Sequence, residues 1–530
     1  MPRELSANAE SRGDVPTGIT ATDLTILFFI LVLLVSFYLV LPGAPSYFGD
    51  DIAYDGGAHS LLNGAFTLDG NPFGIESSMI IPISVLYYLF GYSYKVGILW
   101  DEISLLLAVL FTFLLVKRLY STKAASISAL LLGIFPVLQP LSTTAGNDSV
   151  VVLLTTLSIL CAMYGLRKNS GLFLFVSGAS STAAPFASPL AAIASLFVFA
   201  YVIYSAMRTK NIDTLKWFAL GVVIIILLNC VYDWVFSGKP LIFATVLTHF
   251  AYVFGPGNLK AEETFPYLMY VTEAFGLVNQ NWSLQFPGFN INGYGLFFYA
   301  AVFSSIYLLI KKQKQSYILI CMLAFSFLYL QFGPMYISFF PFTYLYVFRS
   351  FRFLTLLSVP AVIITGIALA DLINRKRKIL SALVVIILIV LFANGVYIDV
   401  IWHYSIFSST YSQIAISDYL LSLNKNVSVY STYSAINIGL YDGFSKRVQL
   451  NVYSNLNCSI LTPGSYVVLQ PHSYANISTL KCQNPLVPVL KPYISEYYYN
   501  MSSVGLGYYN TFYSELFYYG NSSSGYSLRP

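Results

Sequence analysis

The chain has 530 residues; 57% are hydrophobic, only 10% are charged, and the net charge is +5. A soluble globular domain carries about 25% charged residues, so this chain cannot coat a water-soluble surface and lipid must be part of its solvent. Its basic residues fall in loop-length clusters without a reading fold, which argues against nucleic acid as a partner.

Residues 1–22 are polar, with Pro2, Gly13, Pro16 and mixed charges, and read as a cytoplasmic tail. The first apolar run, Leu24 to Leu41, comes too late for a cleavable signal peptide and is long enough to span, so it reads as a retained signal anchor. A span needs about 20 mostly apolar residues. The pattern predicts about eleven, at roughly 23–41, 100–116, 124–141, 149–166, 171–186, 188–206, 215–235, 293–310, 316–331, 354–373 and 379–400. The segment 171–186 is rich in Gly, Ser and Ala, which suits close helix packing in lipid.

Five basic clusters occupy alternate loops: Lys117, Arg118 and Lys123; Arg167 and Lys168; Arg208, Lys210 and Lys216; Lys311, Lys312 and Lys314; and Arg375 to Lys378. The positive-inside rule places them in the cytoplasm, the N-terminus inside and the tail after Val400 outside, as in a multi-pass cell-membrane protein. Asn-x-Ser acceptors at Asn147, Asn281, Asn426, Asn457, Asn476, Asn500 and Asn521 all fall in segments so placed outside. The expected organisation is a tail at 1–22, a membrane domain at 23–400 with external loops 42–99 and 236–292, and an extracytoplasmic α/β domain at 401–530.

In that last part "SQIAISDYLLSL" is amphipathic, and "VSVYST", "RVQLNV" and "SYVVLQP" read as strands. Cys458 and Cys482 lie there, and an oxidising compartment favours a disulfide between them. Cys161, Cys230 and Cys321 lie in spans and read as buried packing residues.

The first external loop is too long for a simple turn. Its "FGDDIAYDGGAHSLLNG" reads as a helix on the membrane surface, with Ile52, Ala53, Ala58, Leu61 and Leu62 on an apolar side. Asp50 and Asp51 stand before that helix, and Asp148 stands before the fourth span. Helix capping accounts for any one of them; a carboxylate pair at the membrane lip with a third in the next external loop also suits catalysis. The residues alone leave both readings open. His59, His249, His403 and His472 are scattered and show no metal-ligand spacing. No phosphate-binding Gly loop is present, so the chain offers no nucleotide-sugar or ATP site.

Taken together, these residues resemble the GT-C superfamily of lipid-linked-sugar glycosyltransferases. In its protein mannosyltransferase and aminoarabinose transferase branches the first external loop carries D-E-x-x-Y followed by A-x-x-L. Here Asp50, Asp51, Tyr54, Ala58 and Leu61 hold those places, with Asp replacing the Glu. Lys117 and Arg118 supply the basic turn, and Asp148 the acidic residue of the second loop, so the resemblance covers about 22–170. The sequence departs where those branches have a Pro pair and an Arg: "ESSMIIP" and Trp100-Asp101-Glu102 stand there. The oligosaccharyltransferase W-W-D-Y-G signature is absent.

The resemblance implies a GT-C-like helical membrane protein moving a sugar from a polyprenyl-phosphate donor to a protein, lipid or glycan acceptor at the outer face. The catalytic candidates are Asp50, Asp51 and Asp148, with Asp50, on the motif's leading Asp, the expected base. Tyr54 and Glu76 are candidate substrate contacts. A leaving phosphate needs cations, and Arg349 and Arg352, on one helical face before the tenth span, are the first candidates; Lys239 and His249 follow. The residues name no certain cofactor, and a divalent metal between Asp50 and Asp148 stays open. Two other classes compete. A transporter or lipid flippase would carry ionisable groups near mid-membrane, whereas Asp233 and Asp371 lie near span ends. A non-catalytic membrane scaffold would make the carboxylates silent.

Overall fold

A computed structural model of the chain describes residues 19–41, 50–68, 72–242 except 137, 283–286, 289–292, 295–339, 342–346, 351–431 except 376, 439–469 in part, 486–490 and 515–520. Its helices longer than one turn are α1 (Ala21–Val40), α2 (Asp50–Leu62), α3 (Ser77–Phe90), α4 (Leu99–Leu119), α5 (Thr122–Gly133), α6 (Asp148–Lys168), α7 (Gly171–Ala183), α8 (Ala192–Thr209), α9 (Ile212–Ser237), α10 (Gly295–Ile310), α11 (Tyr317–Phe332), α12 (Ser358–Asn374) and α13 (Lys378–Ser422). A 3-10 turn at Pro72–Ile75 precedes α3, and another at Phe351–Leu357 precedes α12.

Eight described helices are long and apolar enough to cross a membrane. All eleven expected spans fall on helices, but 124–141, 171–186 and 293–310 fall on shorter ones, and the shorter apolar α3 lies inside the expected first external loop. Span length alone therefore does not return eleven crossings. The last helix is also longer than expected. It continues past Val400 to Ser422, 45 residues in all, because its amphipathic end has its own surface to cover.

Polar side chains and glycines set the helix positions. Thr20 and Asp23 form a capping box at the start of α1. Asp23 also pairs with buried Lys117 of α4 and accepts a 2.9 Å bond from Thr122 Oγ1, so this expected cytoplasmic lysine is spent on a buried ion pair. Away from water both charges need that partner. Backbones meet where Cβ atoms are missing: a Cβ at Gly178 of α7 would lie 2.1 Å from Phe218 O, and one at Gly221 of α9 would lie 2.2 Å from Phe175 O. Helix α12 is the most enclosed, 89% of its apolar window being buried. A Cβ at its Gly366 would lie 2.1 Å from Ser128 Oγ of α5. Of the cysteines, Cys161 is buried as expected, Cys230 is half-buried, and Cys321 is exposed because it sits on the outward face of α11.

Two short hairpins, β1 (Ser283–Phe286) with β2 (Phe289–Asn292) and β3 (Pro334–Phe339) with β4 (Phe342–Tyr346), lie between helices. The last part is a five-stranded sheet of order β6-β5-β7-β9-β8. Its strands are β5 (Val427–Ser431), β6 (Val448–Val452), β7 (Ser465–Leu469), β8 (Leu486–Leu490) and β9 (Glu515–Tyr519). β5 pairs in parallel with β6 and β7, while β9 runs antiparallel to β7 and β8. The three runs read as strands in the sequence are β5, β6 and β7. Ile416 and Leu420, at the end of α13, pack on Val429, Tyr466, Val468 and Leu516 of this sheet. The same helix thus closes the membrane part and covers the sheet. Cys458 is disulfide-bonded; its expected partner, Cys482, lies outside the described residues.

Candidate active site

The three loop segments singled out in the sequence converge at one end of the helix bundle. Asp51, Tyr54, Asp55 and Ala58 of α2 recur at helical spacing and form one face. All four are buried: 4%, 0%, 1% and 0% exposed. Of the expected apolar side, Ile52 and Ala58 are buried, whereas Ala53 and Leu61 are half-buried and Leu62 is exposed. Helix α2 packs against protein on a face containing two carboxyls and a tyrosine, and protein partners can satisfy polar groups that lipid cannot.

Asp148 opens α6 and is buried. It is the first residue of the helix, not its N-cap, so the plain capping explanation does not describe it. Thr355 Oγ1 lies 3.0 Å from Asp148 Oδ1 and 2.6 Å from Arg352 O, and its one proton is shared between them. The 3-10 turn before α12 therefore brings Arg352 to the neighbourhood of Asp148. Arg352 is half-buried, with its guanidinium 5.7 Å from the Phe353 ring centre.

Tyr54 and Glu76, expected to touch substrate, are both buried, and the Tyr54 hydroxyl donates to Glu76 Oε2. Asn147 Nδ2 donates to Tyr54 Oη (3.1 Å), Glu76 Oε2 (3.3 Å) and Ala187 O (3.1 Å). Tyr54 and Glu76 thus hold elements together. Asn147, whose Asn-x-Ser pattern was read as an acceptor, is 6% exposed, with its amide bonded to Tyr54, Glu76 and Ala187.

Two carboxyls were missed by the sequence reading as members of the site. Asp55 accepts a 2.7 Å bond from Tyr87 Oη of α3. Burial pushes the Asp55 carboxyl well above the ordinary carboxylate range; the Tyr87 bond opposes this, and the charge of Asp51 adds to it. Asp101, in the first turn of α4, is fully buried and lies within electrostatic reach of Asp148, Asp55, Asp51 and Glu102. Both its oxygens, and Asp55 Oδ2, are without a hydrogen-bond partner among the described residues. Asp101 thus interacts electrostatically both with the first-loop Asp51 and Asp55 and with Asp148. The available signal was an acidic pair in the first turn of an apolar span, an expensive placement that marks function.

Other candidates are placed less fully. Asp50 is the first residue of α2, but its side chain lies outside the description, as do Arg349 and His249. Lys239 is exposed just past the α9 C-cap Gly238. The end of α9 is nonetheless tied to the first loop, through Tyr232 Oη to Gly74 O (2.9 Å) and Ser77 Oγ to Asn229 Oδ1 (2.8 Å). Among the expected acceptors, Asn426 is exposed before β5, and Asn457, Asn476, Asn500 and Asn521 lie outside the described residues, as does Asn281. Among the described residues no group of three His, Cys, Asp or Glu is placed to hold a metal ion.

Residues 81–234 match the family described as dolichyl-phosphate-mannose-protein mannosyltransferase. The matched stretch begins after the Asp50–Leu61 motif and contains Asp101, Asn147 and Asp148. Among solved structures, the chain is similar to ArnT from Cupriavidus metallidurans bound to undecaprenyl phosphate, with a TM-score of 0.54 and 12% identity over 94% of this chain and 98% of that one. It is also similar to the Archaeoglobus fulgidus oligosaccharyltransferase in complex with zinc and sulfate, with a TM-score of 0.50 and 12% identity over 91% of this chain and 70% of that one. No curated protein sequence matches it. The chain shares the overall fold of these two structures; in this chain it is a polytopic helical part followed by a C-terminal sheet domain.

Proposed function

We propose that the chain is a glycosyltransferase that moves a sugar from a polyprenyl-phosphate-linked donor to an acceptor hydroxyl at the outer membrane face. The observation that carries this reading is the convergence of buried carboxyls from α2, α4 and α6 beside the Arg352 turn, within a GT-C fold. The family described for residues 81–234 and the lipid phosphate bound by the ArnT structure both point to a lipid-linked donor.

The chemistry follows from the groups present. A first-loop carboxylate takes the proton of the acceptor hydroxyl, whose oxygen then bonds to the anomeric carbon. The bond from that carbon to the phosphate oxygen breaks, and its electron pair leaves on the polyprenyl phosphate. Single displacement inverts the anomeric configuration. Arg352 faces the growing phosphate charge, with Arg349, Lys239 and His249 as further candidate cations.

The motif points to Asp50 as the base, and the inward burial of Asp51 favours Asp51 as a second assignment. Purified protein given radiolabelled polyprenyl-phosphate sugars, with Asp50→Asn and Asp51→Asn compared, separates them. The variant that removes the base should lose at least about 10²-fold in turnover while keeping donor affinity. Full transfer activity in both variants removes this mechanism. Lipid translocation without a glycosylated product supports the flippase class instead.

A further inference from the structure

Asn147 is followed by Asp and Ser, the pattern of a glycosylation acceptor, yet its amide is buried and serves three partners. It is also the N-cap of α6, a position where an Asn side chain ordinarily bonds the exposed helix N–H groups. Here it makes no such bond. The amide has two N–H donors, and both are spent away from its own helix.

The partners are far apart in sequence: Tyr54 by 93 residues, Glu76 by 71 and Ala187 by 40. Tyr54 lies one helical turn from Asp51. Glu76 is the N-cap of α3. Ala187 follows the short turn after α7. Asn147 itself is joined directly to Asp148. One side chain thereby sets the spacing between the helix end that carries Asp148 and the helix that carries Asp50 and Asp51. The Tyr54–Glu76 bond links the two partners to each other as well, so among the described residues Asn147, Tyr54 and Glu76 are mutually bonded, and loss of any donor leaves buried acceptors to rearrange.

We infer that Asn147 is a positioning residue which, through Tyr54 and Glu76, fixes the separation of the first-loop carboxylates from Asp148. Its role is exerted through these two residues. The inference rests on the glycosyltransferase reading for its consequence in turnover, though the network itself stands on geometry alone. Misplacing a catalytic group by about 1 Å can cost about 10²-fold in rate, so a fault here should appear in turnover more than in donor affinity.

The test measures Asn147→Ala and Tyr54→Phe, alone and together, on folded detergent-purified protein. Tyr54→Phe is the gentler change, and it keeps the test open if Asn147→Ala folds poorly. Each single variant should lower kcat about 10-fold or more with donor KM held within about twofold, and the double should be no worse than the more severe single. Independent, additive losses, a change carried by KM alone, or a lower Tm with kcat per folded molecule intact would each overturn the inference. So would a glycan on Asn147 in the intact mass of protein from a glycosylating host.

If the wild-type protein transfers no lipid-linked sugar, the functional reading fails and the positioning claim is decided separately. Pulsed electron–electron distances between spin labels at Ser60 and Ser188 should be narrow in wild type and broadened in Asn147→Ala. An unchanged distribution rejects the network as the device that holds these elements.

Discussion

At Gly97 the backbone passes so close to a carboxyl that a Cβ there would lie 2.5 Å from Asp55 Oδ1 and 2.7 Å from Tyr87 Oη. Glycine at that position permits the bond from Tyr87 that holds Asp55 in place. Burial raises the Asp55 pKa, so the folded protein keeps a proton that the unfolded chain gives up in the ordinary carboxylate range. The sign follows from proton counts. Where the folded state binds more protons, stability falls as pH rises, so the Asp55 contribution is full at acid pH and is lost toward its raised value. Asp55→Asn cannot ionise and keeps an oxygen for Tyr87. Its Tm relative to wild type should therefore improve as pH rises above the ordinary carboxylate range. A difference that narrows or reverses with rising pH contradicts a raised Asp55.

At the scale of elements, the site depends on how short turns deliver residues to helix ends. The 3-10 turn at Phe351–Leu357 leads into α12, the most enclosed helix, and carries Thr355 to Asp148. Anchoring this turn on a rigid helix keeps the Arg352 backbone near the carboxyls. Thr355→Val keeps the shape and removes the hydroxyl. Losing this buried hydrogen bond leaves Asp148 Oδ1 short of a partner and should cost about 1–3 kcal/mol, so Tm should fall measurably, and turnover or donor affinity per folded molecule should fall as the turn loosens. Steady-state kinetics with a lipid-linked donor, beside thermal unfolding, tests this; unaltered kinetics would show that Asp148 is held without Thr355.

At the scale of the whole molecule, orientation is the claim on which the mechanism depends. Helix α13 joins the last long apolar segment to the sheet without a break, so the sheet stands at the end of the bundle where α13 emerges. We propose that this is the outer face, because the five basic clusters fall in the alternate loops. A Cys replacing exposed Lys425 should be labelled by an impermeant maleimide in intact cells, and a Cys replacing Gln313 should be labelled only after permeabilisation. The opposite pattern would put the carboxyl site in the cytoplasm and end the proposed reaction with an outer-face donor.

Much of this architecture follows from composition and local pattern. Runs of apolar residues must become helices in lipid, because no water is present to satisfy exposed backbone groups. Thus each expected span falls on a helix, and the three β-branched runs of the tail became β5, β6 and β7. The motif Asp50, Asp51, Tyr54, Ala58 and Leu61 likewise pointed to the helix that carries the carboxyl face. Local pattern could not say which side of that helix is buried, since a half-polar helix can lie on lipid or pack on protein, and its polar face turned inward. Nor could it join Asn147 to Tyr54, or Asp101 to Asp148 and Asp55. Those relations span tens of residues and are set by close glycine crossings, by the Asp23–Lys117 pair and by the turn before α12. Sequence by itself determined the membrane class, the helices and the carboxyls on offer. Tertiary packing decided which of them meet, because burial and hydrogen-bond partnership belong to the assembled chain.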